Sequence, residues 1–249
     1  MTDRRTGTPR TSVPLVERFR QYPVVYGILT LTVLSYAGQI LGEFLLGYDA
    51  VAVYGAKSNT DILNGQLWRL ITPVLVHGSG YHLLVNMYSL YAIGPGVEKF
   101  FGHTRTLAVY ALSGISGSLL SLAFSDGRSV GASGAIFGFL GALGGFLFIH
   151  RDAFGRFGQS QLRQIISVAL INLAIGFMPG IDNWGHLGGL IGGIVLSFFL
   201  GPRYSPVRLA HDRVHFVDIQ PFKRIWPRSI LALGVLLLGT ALTLLGISS

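Results

Sequence analysis

Gly131-Ala132-Ser133-Gly134-Ala135-Ile136-Phe137-Gly138 opens a hydrophobic run that carries no formal charge until His150 and Arg151, and it sets one hydroxyl, that of Ser133, among small residues. Two readings fit it. Gly131, Gly134 and Gly138 leave the backbone bare around the serine. A second chain could then approach closely, and main-chain N–H groups at a helix start could face a developing negative charge. Equally, Gly134-x-x-x-Gly138 and Gly141-x-x-x-Gly145 are what close helix contacts in lipid require. Residues elsewhere in the chain decide between a nucleophile and a packing face.

Outward from this run, the 249 residues are half hydrophobic and 12% charged, with 34 glycines and a mean hydropathy of +0.54. These values describe a polytopic membrane protein rather than a soluble domain. Uncharged windows lie at 21–42, 70–97, 106–125, 129–149, 164–181, 183–202 and 229–249, each near or above the roughly 17–25 residues that span a bilayer as helix. Seven spans are expected. Pro73 and Gly78-Ser79-Gly80 break the second window, so its span is placed at about 80–97, with 70–79 as interfacial loop.

The net charge of +8 raises nucleic acid as a partner, but the placement of the basic residues argues for a membrane instead. With the N-terminus inside, 16 of the 19 Lys and Arg fall on the inner side, leaving Lys57, Arg69 and Arg128 outside. That asymmetry sets the orientation. The absence of cysteine excludes thiol catalysis, disulfides and thiolate metal sites. The first window is long and lacks a cleavage-like site, so it is read as a retained span.

The expected organisation is an inner tail at 1–20, a six-span core at 21–200 with an outer loop at 45–79, a basic inner linker at 201–227, and a seventh helix at 228–249. In the outer loop, Tyr48, Tyr54, Trp68 and Arg69 suit an interfacial segment. The second span carries His82-x-x-x-Asn86, whose side chains share one helix face. Such groups are either a site or glue between helices. Glu98 is expected to anchor the interface or bond to loop backbone, Asn172 to bond a neighbouring helix, and the small residues of the third span, including Ser113, Gly114 and Gly117, to serve packing only. His150 reads as an interfacial residue at a helix end. His211 and His215 are spaced i, i+4 without a third ligand, so no metal and no other cofactor is expected. The sixth span begins Asp182-Asn183-Trp184-Gly185-His186-Leu187-Gly188-Gly189, a glycine ridge with His186 at its top.

Spans two, four and six all run from outside to inside, so their first residues share the outer side. Ser133 and His186 then lie roughly 5 Å below the outer boundary at 1.5 Å per residue, and His82 and Asn86 fall at similar depth. The glycine ridges would let Ser133 and His186 reach hydrogen-bond distance. A neutral imidazole could take the hydroxyl proton while donors from other helices hold an oxyanion. No carboxylate accompanies these motifs within the membrane, so a Ser-His dyad is expected. Phe137, one turn below Ser133, is placed either to stack on the imidazole or to fill core.

At this point the sequence resembles the rhomboid family of intramembrane serine proteases over roughly 45–200. The resemblance rests on Trp68-Arg69, His82-x-x-x-Asn86, Gly131-x-Ser133-Gly134 with Phe137-Gly138, and Gly185-His186-Leu187-Gly188-Gly189. It implies an all-α, rhomboid-like six-helix bundle plus one C-terminal transmembrane helix. It also implies Ser133 as nucleophile, His186 as general base, and His82, Asn86 and the Ser133 backbone N–H as the oxyanion hole. His77 matches a further histidine of the family's outer loop, with its role left open. Gly185 stands where an alanine is common. Transmembrane proteins are the implied substrates and the bilayer the implied partner, with no nucleic acid. The expected location is a plasma membrane, multi-pass, with a cytoplasmic N-terminus and the site toward the outer face.

Overall fold

The computed structural model describes residues 15–208 and 214–247. The fold is all-α, built from α1 (Leu15–Gln21), α2 (Pro23–Leu46), α3 (Ala50–Gly55), α4 (Asn59–Leu63), α5 (Gly80–Phe101), α6 (His103–Phe124), α7 (Ser133–Ile149), α8 (Arg151–Ile175), α9 (Asn183–Phe199) and α10 (Phe222–Ile247). Two short 3-10 turns, Leu67–Leu70 and Thr72–Leu75, occupy the outer loop. Pro73 opens the second of these, where its missing N–H is harmless. By length and composition two described helices could cross a membrane, Pro23–Leu46 and His103–Phe124, while the apolar Ser133–Ile149 is shorter.

Local chemistry sets the helix ends. Pro23 stands in the first turn of α2, and Gly47 ends that helix with φ 75°. Ser79 caps α5 by accepting from His82 N at 3.1 Å, and Asp182 caps α9 by accepting from Gly185 N at 2.9 Å. α7 has no side-chain cap. The Glu98 carboxylate accepts from Val24 N at 3.0 Å and Val25 N at 2.9 Å, holding the start of α2 against α5. Of the two roles expected of Glu98, it takes the backbone-bonding one, toward the first turn of a helix instead of a loop.

α7 lies at the centre, flanked by α6 and α9. Glycine lets the backbones meet. A Cβ at Gly189 would run into the Gly134 carbonyl, and one at Gly193 into the Gly138 carbonyl. Ser116 Oγ donates to the Gly188 carbonyl at 2.8 Å, tying α6 to α9. Toward the opposite end of the bundle the core becomes aromatic, with fully buried Phe139 and Phe146.

Several elements differ from the sequence expectation. α8 starts at Arg151 instead of near 164, with a break at Gly155 (φ 51°), because arginine and glutamine are good helix formers and a charge does not mark a helix boundary. Asn172 donates to Val168 O at 2.8 Å on its own helix and is exposed, so it makes no bridge to a neighbour. The linker holds an antiparallel ribbon, β1 (Tyr204–Arg208) paired with β2 (Val214–Asp218). Arg105 anchors that ribbon through Asp218 at 2.7 Å. His150 is buried under it, donating from Nδ1 to Phe146 O at 2.9 Å and accepting from Tyr204 N at 3.1 Å. His211 and the tail at 1–14 lie outside the described residues.

Candidate active site

Ser133 is the first residue of α7, and at a helix start the first N–H groups have no carbonyl one turn back to bond. With no capping side chain present, the N–H groups of Ser133 and Gly134 stay available to an anion. Gly131 precedes them at φ 121°, and a Cβ there would come within 2.7 Å of the His82 ring. Only glycine satisfies both the backbone conformation and the contact.

Ser133 Oγ lies 2.9 Å from His186 Nε2. The imidazole stacks on Phe137 with centroids 4.5 Å apart and planes 17° from parallel, and the same ring packs in a core cluster with Leu140 and Ala169, so both readings of Phe137 hold. His186 Nδ1 is buried and meets no hydrogen-bond partner among the described residues. Packing, not a carboxylate, fixes the ring. Gly134 faces the Gly185 carbonyl, which a Cβ would approach to 3.3 Å, so the glycine sets the spacing of α7 and α9 at the level of the serine.

His82 and Asn86 occupy the same face of α5. Asn86 is buried and its Nδ2 donates to His82 O at 2.9 Å, which leaves the second amide hydrogen unspent. The His82 ring sits edge-on to His77 at 5.1 Å. His77, whose role the sequence leaves open, is 1% exposed. Its Nε2 lies 3.5 Å from Ala132 N, and its backbone is gripped by Gln39, which accepts from His77 N at 3.0 Å and donates to His77 O at 2.9 Å. Burial, with a smaller push from His82, lowers the His77 pKa to about 4. The ring is therefore neutral near pH 7 and packs beneath the loop that presents Ser133.

A cavity of about 30 Å³ opens beside the dyad, lined by Ser133, Gly134, His186, Gly117, Ser118 and Asp182 among others. Room for a water needs at least roughly 10–15 Å³ measured this way, so one or two fit. Two sequence expectations change here. The small residues of α6 do more than pack, because Gly114, Gly117 and Ser118 form the cavity wall. A carboxylate does reach the site, since Asp182 lines the cavity while capping α9, although it accepts from Gly185 N and not from the imidazole.

Three further side chains hold the site's outer frame. Arg69, 3% exposed, donates to Ala56 O at 2.7 Å and Val53 O at 2.9 Å and pairs with Asp61 at 3.4 Å. Lys57 is fully buried, and its ammonium donates to Ser121 O, Ser125 O and Gly127 O at 3.2, 2.8 and 3.1 Å. Burial pushes its pKa down from the usual lysine value. Asn59 adds bonds to Leu122 O and Ser125 O, so the outer loop and the 125–128 turn are fastened together. The sequence signal for Gln39 was a lone amide in an apolar window. Lys57 had none, because its acceptors are main-chain carbonyls far along the chain.

Comparison with known proteins follows the same residues. The family model described as Rhomboid domain matches residues 64–203, a stretch that includes Ser133, His186, His82 and Asn86. The Rhomboid protease GluP of Bacillus subtilis is 42% identical over 180 residues, 69% of this chain and 35% of that protein. RHOMBOID-like protein 5 of Arabidopsis thaliana is 40% identical over 158 residues, 61% of this chain and 51% of that protein. YdcA of Bacillus subtilis is 38% identical over 184 residues, 72% of this chain and 89% of that protein. The chain thus spans about a third to a half of the first two relatives and most of the third.

Proposed function

Because this chain belongs to the rhomboid family, we propose that it is an intramembrane serine endopeptidase, cutting peptide bonds in or near the transmembrane segments of other membrane proteins. Ser133 is the nucleophile: its hydroxyl proton passes to His186 Nε2 as Oγ attacks the scissile carbonyl carbon. The oxyanion is held by the Ser133 backbone N–H, the His82 ring and the second amide hydrogen of Asn86, with the α7 N-terminus adding its partial positive charge. His186 then gives the proton to the leaving amine. A water from the adjoining cavity, deprotonated by the same imidazole, hydrolyses the acyl-enzyme.

In this reading α2 and α5 to α10 are the seven spans, arranged as six plus one, with residues 21–200 as the protease core, 1–20 and 201–227 inside, and 228–249 as the added helix. The N-terminus is on the cytoplasmic side of a plasma membrane and the site faces outward, an orientation that the asymmetry of the basic residues supports.

The observation that carries the proposal is the 2.9 Å approach of Ser133 Oγ to His186 Nε2 at a helix start whose backbone glycine has left bare. The test uses purified protein in detergent with a type I transmembrane reporter and a serine-directed fluorophosphonate. Wild type should cleave and label, whereas Ser133→Ala and His186→Ala should do neither. Cleavage that survives Ser133→Ala would overturn the assignment.

A further inference from the structure

At the end of the bundle away from Ser133, α8 leans on α7 and barely touches α9. The gap is a groove of about 420 Å³, within the roughly 300–1,000 Å³ of small-molecule sites. It runs from Leu140 to Phe148 on α7, from Leu170 to Leu162 on α8, and from Leu190 to Phe198 on α9, and no polar side chain lines it. Eight residues of helix cover roughly 12 Å, less than half of a hydrocarbon core of about 30 Å. In the bilayer orientation proposed above, this is the depth of one acyl chain in the inner leaflet.

Charge gathers at one end only. The Arg151 guanidinium lies 4.9 Å from the Phe148 ring centroid, and Arg203 Nη2 donates to Phe198 O at 3.0 Å. Exposed Arg163 follows Leu162 and precedes Ile166 by one turn. The acids nearby are weak opponents. Asp152 is 3.9 Å from Arg151 and almost fully exposed, and Asp218 is already engaged by Arg105 and by Arg203 N. A groove that accepts only hydrocarbon, ending in three cations from α8 and the segment after α9, matches one chemistry.

We propose that the groove binds an acyl chain of an anionic phospholipid whose phosphate is held by Arg151, Arg163 and Arg203. The lipid bridges α8 to α9 where protein contacts are sparse, and so fixes the position of α8. A zwitterionic headgroup carries its own cation into the arginine cluster and is held less well.

Native mass spectrometry of the full chain, released from nanodiscs containing equal amounts of dioleoyl phosphatidylglycerol and dioleoyl phosphatidylcholine, tests this. Wild type should retain the anionic phosphatidylglycerol in preference, on the order of tenfold given the attraction of surface arginines. The preference should vanish in Arg151→Gln/Arg163→Gln and persist in Arg128→Gln on the other side of the molecule. Gly144 lines the groove toward Ile165 and Leu162, so Gly144→Leu should reduce retention of both lipids. Equal retention in wild type, a preference that survives the double variant, or retention unaffected by Gly144→Leu would each overturn the proposal. Fluorophosphonate labelling of the same samples reports separately on the protease reading.

Discussion

At His77 a single buried ring couples stability to pH. Its pKa of about 4 in the fold lies below the ordinary 6.5, so as pH falls the unfolded chain takes up the proton before the folded one does. The contribution is complete above about pH 6.5 and is lost progressively down to about pH 4, where both states are protonated. At 1.36 kcal/mol per unit, the loss is on the order of 3 kcal/mol. Thermal unfolding in detergent from pH 7.5 to 4.5 should show wild type losing more stability than His77→Gln, and identical pH slopes would refute the assignment. At this scale Ser133, His186 and His82 were legible because a hydroxyl or imidazole stands out in apolar helix. Asp182 was not, because a carboxylate just before a helix is an ordinary cap, and only the fold brings that residue to the cavity.

Between elements, the spacing of α7 and α9 decides whether the dyad forms at all. Gly189→Ala puts a methyl against the Gly134 carbonyl, one residue from the serine. Neither partner is a flexible side-chain end, so a helix must move, at a typical overpacking cost of about 1–3 kcal/mol. The variant should lose fluorophosphonate labelling as well as thermal stability. Gly234→Ala in α10 meets nothing within 4 Å and should keep labelling while gaining up to about 1 kcal/mol of helix propensity. Equal behaviour of the two variants would sink the close-packing argument. The Gly-x-x-x-Gly spacing made the α7–α9 contact readable in advance. The start of α8 and the β1–β2 ribbon were not readable, since both lie among charged residues where hydropathy carries no signal, and the ribbon depends on Arg105 finding Asp218 113 positions away.

For the whole molecule, the convergence of the starts of α5, α7 and α9 was legible in the chain, because three helices that begin on one side bring their first residues together whatever the loops do. The size of the space they enclose could not be read from the chain, since it is set by which small residues of α6 face inward. That size has a consequence for the substrate. A cavity of about 30 Å³ beside Ser133 has room for a water or two but none for a helix about 10 Å across. If Ser133 cuts membrane-protein substrates as proposed above, the scissile segment reaches it extended, and a substrate helix opens its hydrogen bonds there first. Residues that make opening easier should be cut faster. Replacing three glycines around the cut by leucine raises the cost of unwinding by up to about 2–3 kcal/mol, slowing cleavage by roughly 30- to 150-fold. The same substitutions a full helical turn further away should change little. Cleavage rates on such a reporter series, measured in one detergent at subsaturating substrate, give the comparison. A rate indifferent to leucines at the cut would mean that the substrate arrives already unwound or is cut outside its helix.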